Sequence, residues 1–197
     1  MIVVISSPEF FAEEHEIINE LFKNGLQIFH LRKPGQQKEK ILELLNKINP
    51  ENFSGIVLHQ NYEVREAYNI NKVHFNELTR RAEAGKELLP GIMYTTSIHN
   101  KEEINKNLNG FEYCFLGPVF DSISKTGYLK MNDADISNIN RNTNCRILAI
   151  GGIDKDNIKK VQELGYDGAA LLGSVWLKPD KANENYINIK KAWNSGL

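Results

Sequence analysis

Residues 146–153 read Arg-Ile-Leu-Ala-Ile-Gly-Gly-Ile, a short apolar run that ends in two glycines. Similar runs recur along the chain, separated by polar stretches with helical spacing; they occupy residues 2–5, 26–31, 55–58, 72–75, 91–94, 113–116 and 168–172. Continuous apolar runs, without alternation, are typical of parallel strands that are buried on both faces. Eight strand-helix units are the number that closes a (β/α)₈ barrel, so the sequence predicts an α/β fold of the TIM-barrel type.

The polar stretches predict the helices that cover this barrel. They are expected over residues 10–24, 37–48, 62–68, 80–89, 100–108, 133–140, 154–165 and 183–193. In the first of them, Ile17, Ile18 and Leu21 share one helical face. No composition shift and no Pro/Gly-rich linker divides the chain, so we expect a single compact domain over residues 1–197.

Composition limits the class of protein. The 197 residues are 41% apolar, 25% charged and 9% aromatic, which is ordinary for a globular protein. The 24 Lys and Arg nearly balance the 25 Asp and Glu, so the basic surplus of a general nucleic-acid binder is missing. No apolar run reaches the ~18 residues of a membrane helix, and no signal sequence is recognisable. We therefore expect a cytoplasmic protein without nucleic-acid or membrane partners, in which Cys114 and Cys145 are reduced and buried.

In such a barrel, functional side chains come from the loops at the carboxyl ends of the strands. That rule selects the following candidates in strand order: His30, Arg32, Lys33, His59, Gln60, Asn76, Glu77, Thr95, Thr96, Ser97, Gly151, Gly152, Gly173 and Ser174. Gly151-Gly152 after strand seven and Gly173-Ser174 after strand eight bring bare main chain to the rim, where barrels often bind phosphate through N–H groups. The glycines alone are equally consistent with tight turns, and their paired occurrence favours phosphate.

Cations and hydroxyl groups near the same rim suit an anionic ligand. The stretch 117–132 lacks periodicity, and a loop of this length in a compact domain usually serves binding. Within it, Ser122 and Ser124 face the same way on an extended segment, with Lys125 beside them. Arg32 and Lys33 follow strand two, where a basic pair binds an anion or forms a salt bridge at the rim.

The histidines near the strand ends have two interpretations. His30 and His74 fall within predicted strands, so a hydrogen-bonded core histidine is the alternative to a ligand-binding one. His99 begins a predicted helix and is expected at most to support Ser97.

Three segments together resemble the thiamine-phosphate synthase family and its thiazole-tautomerase relatives. They are Gly117-Pro-Val-Phe-Asp-Ser-Ile-Ser-Lys125, Ala149-Ile-Gly-Gly-Ile153 followed by Gly165-Tyr-Asp-Gly168, and Ser97-Ile-His99. The likeness runs along nearly the whole chain in the same order of strands. At strand six the family has Gly-Pro-x-Phe-x-Thr-x-Thr-Lys, and Ser122 and Ser124 keep the hydroxyl groups of the two threonines.

The resemblance implies a transferase of thiamine biosynthesis that acts on small phosphorylated heterocycles. A hydroxymethylpyrimidine diphosphate loses pyrophosphate, and the nitrogen of a thiazole phosphate captures the resulting cation. By position, the resemblance implies that the diphosphate is bound by Arg32, Ser97 and Lys125, of which Arg32 and Lys125 are the catalytic pair. It places His30 near the pyrimidine. It assigns to the thiazole phosphate Ser122, Ser124, Gly152, Gly173 and Ser174. The remaining candidate binding residues are Lys33, His59, Gln60 and Gly151.

The chain departs from the family pattern where the family binds Mg²⁺. The family has Asn-Asp after strand three, where this chain has His59-Gln60, and its second Asp falls at Thr79. Mg²⁺ favours carboxylates together with phosphate oxygens. The resemblance therefore implies a Mg²⁺ cofactor whose usual ligands are replaced, with Glu77 as the nearest acid. After strand two, the family's Gln-x-Arg-x-Lys is replaced by His30-Leu-Arg-Lys-Pro34.

These departures leave two alternatives open. A thiazole-tautomerase-like isomerase also lacks the metal-binding acids, but it carries a His where this chain has Pro118, so His30 or His59 would have to transfer the proton. The other alternative is a non-catalytic homologue that binds a phosphorylated ligand and has lost the metal site. The sequence makes no prediction of oligomeric state.

Overall fold

The strands form a closed parallel barrel. In a computed structural model of the protein, which describes residues 1–106, 108–120 and 135–195, eight strands pair in chain order and the last pairs back with the first. The strands are β1 Ile2–Ile5, β2 Phe29–Leu31, β3 Ile56–Leu58, β4 Lys72–Phe75, β5 Met93–Ile98, β6 Phe111–Leu116, β7 Arg146–Ile150 and β8 Gly168–Leu171. The predicted (β/α)₈ barrel is confirmed.

Helices cover the outside of the barrel. Within the described ranges they are α1 Glu14–Lys23, α2 Lys38–Leu45, α3 Glu77–Ala82, α4 Ile158–Glu163, α5 Gly173–Trp176 and α6 Ala182–Asn194. Short 3₁₀ segments cover Pro50–Gly55, Tyr62–Arg65, Lys101–Glu103 and Pro179–Lys181. In α1 the apolar stripe buries Ile18 and Leu21 completely, and acidic residues in its first turn suit the positive end of the helix dipole. None of the helices described is both long and apolar enough to cross a membrane.

Successive side chains of each strand point to opposite faces of the sheet, so the apolar side chains form two layers. One layer fills the barrel interior and includes Val3, Val57, Tyr113, Phe115 and Leu148. The other lies between the strands and the surrounding helices and includes Val4, Ile18, Phe29, Ile147 and Leu171. Cys114 and Cys145 are free and buried, as predicted. The interior layer also contains polar side chains near the carboxyl ends of β2, β4 and β5, where His30, His74 and Thr95 are almost completely buried.

Several element boundaries differ from the predictions. The expected helices at 62–68 and 100–108 are reduced to the 3₁₀ segments Tyr62–Arg65 and Lys101–Glu103, and residues 135–140 are not helical. The helix expected from residue 154 begins at Ile158, because the preceding residues form a turn held by side-chain hydrogen bonds. Strand five was expected to end at Tyr94, yet β5 continues to Ile98. The hydroxyl groups that were expected in a loop after this strand therefore lie within it.

Candidate functional site

A pocket of about 140 Å³ opens at the carboxyl ends of β7 and β8. Its walls include the four predicted phosphate-binding residues Gly151, Gly152, Gly173 and Ser174, together with the apolar Ile150, Leu172 and Leu177. The Ser174 hydroxyl oxygen is buried, and no described residue forms a hydrogen bond with it. A buried hydroxyl group without a partner is costly, so this oxygen has an unused capacity to bind a polar ligand.

Glycine is required in the turn that forms one wall of this pocket. Gly151 and Gly152 have φ values of +99° and +65°, which side chains rarely adopt. A Cβ atom on Gly151 would lie 2.7 Å from the Cβ of Pro118 and 2.8 Å from its Cα. The segment after β6 packs this closely because the Phe120 N–H donates to the Gly151 carbonyl at 3.2 Å. The turn therefore exposes main chain to the pocket.

Two asparagines that the sequence analysis did not select hold this pocket in place. Asn157 donates from Nδ2 to the Gly152 carbonyl at 2.7 Å and accepts from the Asp154 N–H at 2.9 Å. Asn185 donates to the Ser174 carbonyl at 2.9 Å. Among the described residues of the wall, the one carboxylate is that of Asp154, which accepts from the main-chain N–H groups of Asp156 and Asn157, so those bonds offset part of its repulsion of an anion.

A second group of polar side chains lies at the ends of β2, β3 and β4. We call His30, His59 and His74 the histidine cluster. His30 Nδ1 lies 2.9 Å from His59 Nε2, and the rings of His59 and His74 stack with centroids 4.1 Å apart. His30 Nε2 lies 2.7 Å from the Tyr113 hydroxyl, while His74 contacts the Thr95 hydroxyl at 2.8 Å and the Ser97 hydroxyl at 3.0 Å. The cluster thus consists of two hydrogen-bonded groups, Tyr113–His30–His59 and Thr95–His74–Ser97, which ring stacking joins in the barrel mouth.

The electrostatics of the cluster keep its imidazoles neutral. Burial lowers the pKa of His30 and of His59 well below the ordinary value, and the neighbouring rings lower it further. Burial also lowers the pKa of His74 to about 3, with a smaller contribution from the Arg32 guanidinium. Burial raises the pKa of the Tyr113 phenol, which therefore stays protonated and available as a donor. Neutral rings are weak bases here, but each keeps a nitrogen lone pair that can accept a hydrogen bond or bind a metal ion.

Arg32 and Lys33, adjacent in sequence, have opposite environments. Arg32 is exposed, no described residue forms an ion pair with it, and its charge acts on His59 and His74. Lys33 is fully buried, and its ammonium group lies 2.6 Å from the Glu14 carboxylate and 3.0 Å from the Glu9 carbonyl. The prediction that Lys33 binds a ligand is therefore wrong, because both the charge and the donors of this side chain are used inside the protein. Of the two alternatives that the sequence left open, Lys33 forms the salt bridge, which is buried and does not lie at the rim.

The described residues at the ends of β3 and β4 do not fit Mg²⁺. Gln60 donates from Nε2 to the Lys33 carbonyl at 2.5 Å. Glu77 pairs with Arg81, and its other oxygen lies 3.4 Å from His99 Nε2. The amide oxygen of Asn76 accepts from the Thr79 N–H, and the histidines beside these residues offer nitrogen, whereas Mg²⁺ requires oxygen ligands. Glu77 therefore has no described carboxylate partner with which to share a Mg²⁺ ion, and no reaction step is derived through this metal.

The other predicted residues have defined positions or lie outside the described ranges. Ser97 belongs to β5 and contacts the histidine cluster through its hydroxyl group, so its position is set by His74. Ser122, Ser124 and Lys125 lie outside the described residues. The described part of their loop ends at Phe120, beside the Gly151 turn. His74, regarded as a possible core residue from the sequence, packs against His30 and His59 through its ring. The available signal was the position of the three histidines in or directly after three consecutive strands.

Comparisons with known proteins agree with this architecture. A sequence model of the family described as thiamine monophosphate synthase matches residues 1–175. The chain is 24% identical over 173 residues to a thiamine-phosphate synthase of Leuconostoc citreum, covering 83% of this chain and 82% of that protein. It is also similar to the crystal structure of a thiamine phosphate pyrophosphorylase from Bacteroides thetaiotaomicron, with 26% identity, a TM-score of 0.77 and coverage of 98% and 97% of the two chains. A thiamine phosphate pyrophosphorylase from Pyrococcus furiosus, 20% identical with a TM-score of 0.77, shares the fold.

Proposed function

Because this chain belongs to the thiamine monophosphate synthase family, we propose that it joins a hydroxymethylpyrimidine diphosphate to a thiazole phosphate and releases pyrophosphate. The observation that carries the proposal is the pocket at the ends of β7 and β8. It combines exposed glycine main chain with the buried, unpartnered hydroxyl group of Ser174. Main-chain N–H groups and a hydroxyl donor at this end of a barrel are suited to a phosphate group.

The proposed reaction requires charge stabilisation and positioning. The bond between the pyrimidine methylene carbon and the diphosphate oxygen breaks, and its electron pair leaves with pyrophosphate. The thiazole nitrogen then donates its lone pair to the methylene cation, forming the new carbon–nitrogen bond. The protein must hold the thiazole phosphate so that this nitrogen faces the cation, which makes the capture effectively unimolecular. We assign the holding of the phosphate to Gly151, Gly152, Gly173 and Ser174.

Arg32 is the described side chain best placed to stabilise the leaving group. It is exposed at the barrel mouth and no described residue pairs with it, so a diphosphate can form a bidentate contact with its guanidinium group. By resemblance, Lys125 in the loop after β6 is expected to add a second positive charge. Negative charge that accumulates on the departing diphosphate would then meet two cations that are already positioned.

The direct test is product formation. Purified protein is mixed with both substrates, with and without added divalent metal, and we expect thiamine phosphate and pyrophosphate in equal amounts. Ser174→Ala should raise the KM for the thiazole phosphate by about 10-fold or more, because a hydrogen bond to a charged group contributes about 1.5–3 kcal/mol. The matched control is Ser195→Ala at an exposed position near the end of α6, which should leave KM unchanged. Absence of product under every condition defeats the proposal.

The His30–His59 hydrogen bond favours one second candidate, an isomerase that moves a proton on a thiazole carboxylate phosphate. His59 is only partly buried, so a ligand in the barrel mouth can reach its ring, although the lowered pKa makes that ring a weak base until an anionic ligand offsets the charge of Arg32. This activity would appear as deuterium exchange into the thiazole without a pyrimidine substrate, and His59→Gln would abolish it. Binding of the phosphorylated ligand with neither exchange nor product would instead identify a non-catalytic homologue.

A further inference from the structure

The histidine cluster has the arrangement of a metal-binding site. One ring nitrogen from each of His30, His59 and His74 lies within 4.8 Å of the other two. His30 lies within β2, His74 lies within β4 and His59 directly follows β3, so the main-chain hydrogen bonds between these consecutive parallel strands fix their spacing. His30 and His74 are buried, whereas His59 is partly exposed and marks the side from which an ion could enter.

The distances suit a small tetrahedral ion. Zinc binds imidazole nitrogen at about 2.0–2.1 Å, so two nitrogens on one tetrahedral ion lie roughly 3.3 Å apart. His30 Nδ1 and His59 Nε2 lie 2.9 Å apart in a hydrogen bond, and the whole triad spans no more than 4.8 Å. Replacing the shared proton with an ion requires the His30 and His59 nitrogens to separate by about 0.4 Å. It also requires a ring rotation, because the rings of His59 and His74 are stacked and their nitrogens must turn to converge on the ion. Three protein ligands also leave one position for water or a ligand oxygen.

The second nitrogen of two of these rings already has a partner. His30 Nε2 contacts the Tyr113 hydroxyl, which leaves Nδ1 facing His59. His74 has the Thr95 hydroxyl on Nδ1 and the Ser97 hydroxyl on Nε2, so either nitrogen can turn to an ion while the other keeps a hydrogen bond. Metal-binding histidines almost always donate their other N–H group to such a partner, which fixes the tautomer and the ring orientation.

The donor set selects the class of metal. Imidazole nitrogens suit Zn²⁺, Co²⁺, Ni²⁺ and Cu²⁺, and oxygen ligands suit Mg²⁺ and Ca²⁺. The described cluster contains imidazoles and no carboxylate. Arg32 opposes a cation here through its positive charge, but it is exposed, so solvent screens it and an anion can neutralise it.

From this geometry we propose that His30, His59 and His74 bind one divalent transition-metal ion, Zn²⁺ being the best match, with a fourth position open to water or a ligand oxygen. Nothing in the proposed synthase reaction requires this site. The proposal does not depend on that function, because metal binding can be measured without substrate.

The test uses full-length protein without an affinity tag, treated with a chelator and then titrated with Co²⁺ and with Zn²⁺. We expect one Zn²⁺ per chain by elemental analysis and the visible absorption of tetrahedral Co²⁺ bound by nitrogen. His59→Gln should weaken Zn²⁺ binding by roughly 100-fold, and Tyr113→Phe by about 10–100-fold, as for other partners of metal-binding histidines. His15→Gln on α1 is the matched control and should bind like the unchanged protein.

His59 is the preferred site for substitution because its partial exposure limits the effect on folding, which circular dichroism checks. His74→Gln provides a second variant that keeps a side chain able to bond Thr95 or Ser97. The proposal is overturned if the unchanged protein binds no Zn²⁺. It is equally overturned if His59→Gln and His74→Gln, both folded, bind Zn²⁺ as tightly as the His15→Gln control.

Discussion

Acid should destabilise the metal-free protein well before its carboxylates titrate. Burial lowers the pKa of His30, His59 and His74 from the ordinary 6.5, in the case of His74 to about 3. Above pH 6.5 these rings are neutral in both the folded and the unfolded chain, so they add no pH dependence. As the pH falls below 6.5, the unfolded chain takes up protons and the folded protein does not. Stability is therefore lost as the pH falls.

The size of this loss follows from the shifts. A ring that stays neutral in the folded protein while its unfolded pKa is 6.5 loses about 1.4 kcal/mol of stability between pH 7.5 and pH 5.5. His74, whose pKa of about 3 keeps its ring neutral over this range, contributes that full loss, and His30 and His59 add losses of the same sign. The sum is a substantial share of the roughly 5–15 kcal/mol that stabilises a typical domain. The positive Arg32 beside the cluster acts in the same direction, because it repels a protonated ring. The phenol of Tyr113 stays protonated throughout this range.

Urea unfolding at pH 7.5, 6.5 and 5.5, with chelator present, measures the effect. We expect the free energy of unfolding to fall across this range by more than the roughly 1.4 kcal/mol that His74 alone contributes, and by about 1.4 kcal/mol less in His74→Gln. His15→Gln on α1 should show the full slope. Burial raises the pKa of Glu14, which gives a pH dependence of opposite sign, but this contribution is common to all three proteins and cancels in the comparison. A stability that changes by less than about 1 kcal/mol over the range would refute the reasoning.

Three further predictions concern the pocket and the buried ion pair. Gly151→Ala should destabilise the protein by about 1–3 kcal/mol in thermal unfolding and weaken inorganic phosphate binding in calorimetry, because φ is +99° and the new Cβ meets Pro118. Asn157→Ala removes two hydrogen bonds from the Gly152 turn, so we expect a loss of about 1–3 kcal/mol and weaker phosphate binding. Lys33→Ala should cost about 3–5 kcal/mol in urea unfolding by leaving Glu14 buried without a partner, and Glu14→Gln in the same chain should restore part of it. An unchanged unfolding midpoint for any of these variants contradicts its explanation.

The fold was predictable because its signal is repeated. Each strand is a short apolar run, and the order of the strands around the barrel is the order of these runs in the sequence. The boundaries of β5 were not predictable in the same way. Thr95, Thr96 and Ser97 are polar, and their hydroxyl groups are satisfied by His74 and by main-chain carbonyls inside the barrel. A prediction from hydrophobicity therefore places the end of the strand where the polar residues begin. In the structure β5 continues through them, because their hydroxyl groups have hydrogen-bond partners.

The assignment of Lys33 shows a second limit of sequence reasoning. Arg32 and Lys33 are both cations after a strand, and nothing local distinguishes them. Both residues lie beyond the end of β2, and what distinguishes Lys33 is its contact with Glu14 of α1, 19 residues earlier in the chain. The position of the partner depends on how α1 packs against the barrel, so it becomes visible only in the folded structure.

The two groups of functional candidates occupy different parts of the barrel mouth and share no residue. The phosphate pocket belongs to β7 and β8 and the histidine cluster to β2, β3 and β4, so their substitutions should be nearly additive. Phosphate affinity should therefore survive His59→Gln, and Zn²⁺ affinity should survive Ser174→Ala. Measuring both affinities in both single variants and in the double variant tests this independence. A coupling energy above about 1 kcal/mol would show instead that one ligand bridges the two groups, as a phosphate oxygen on the fourth metal position would.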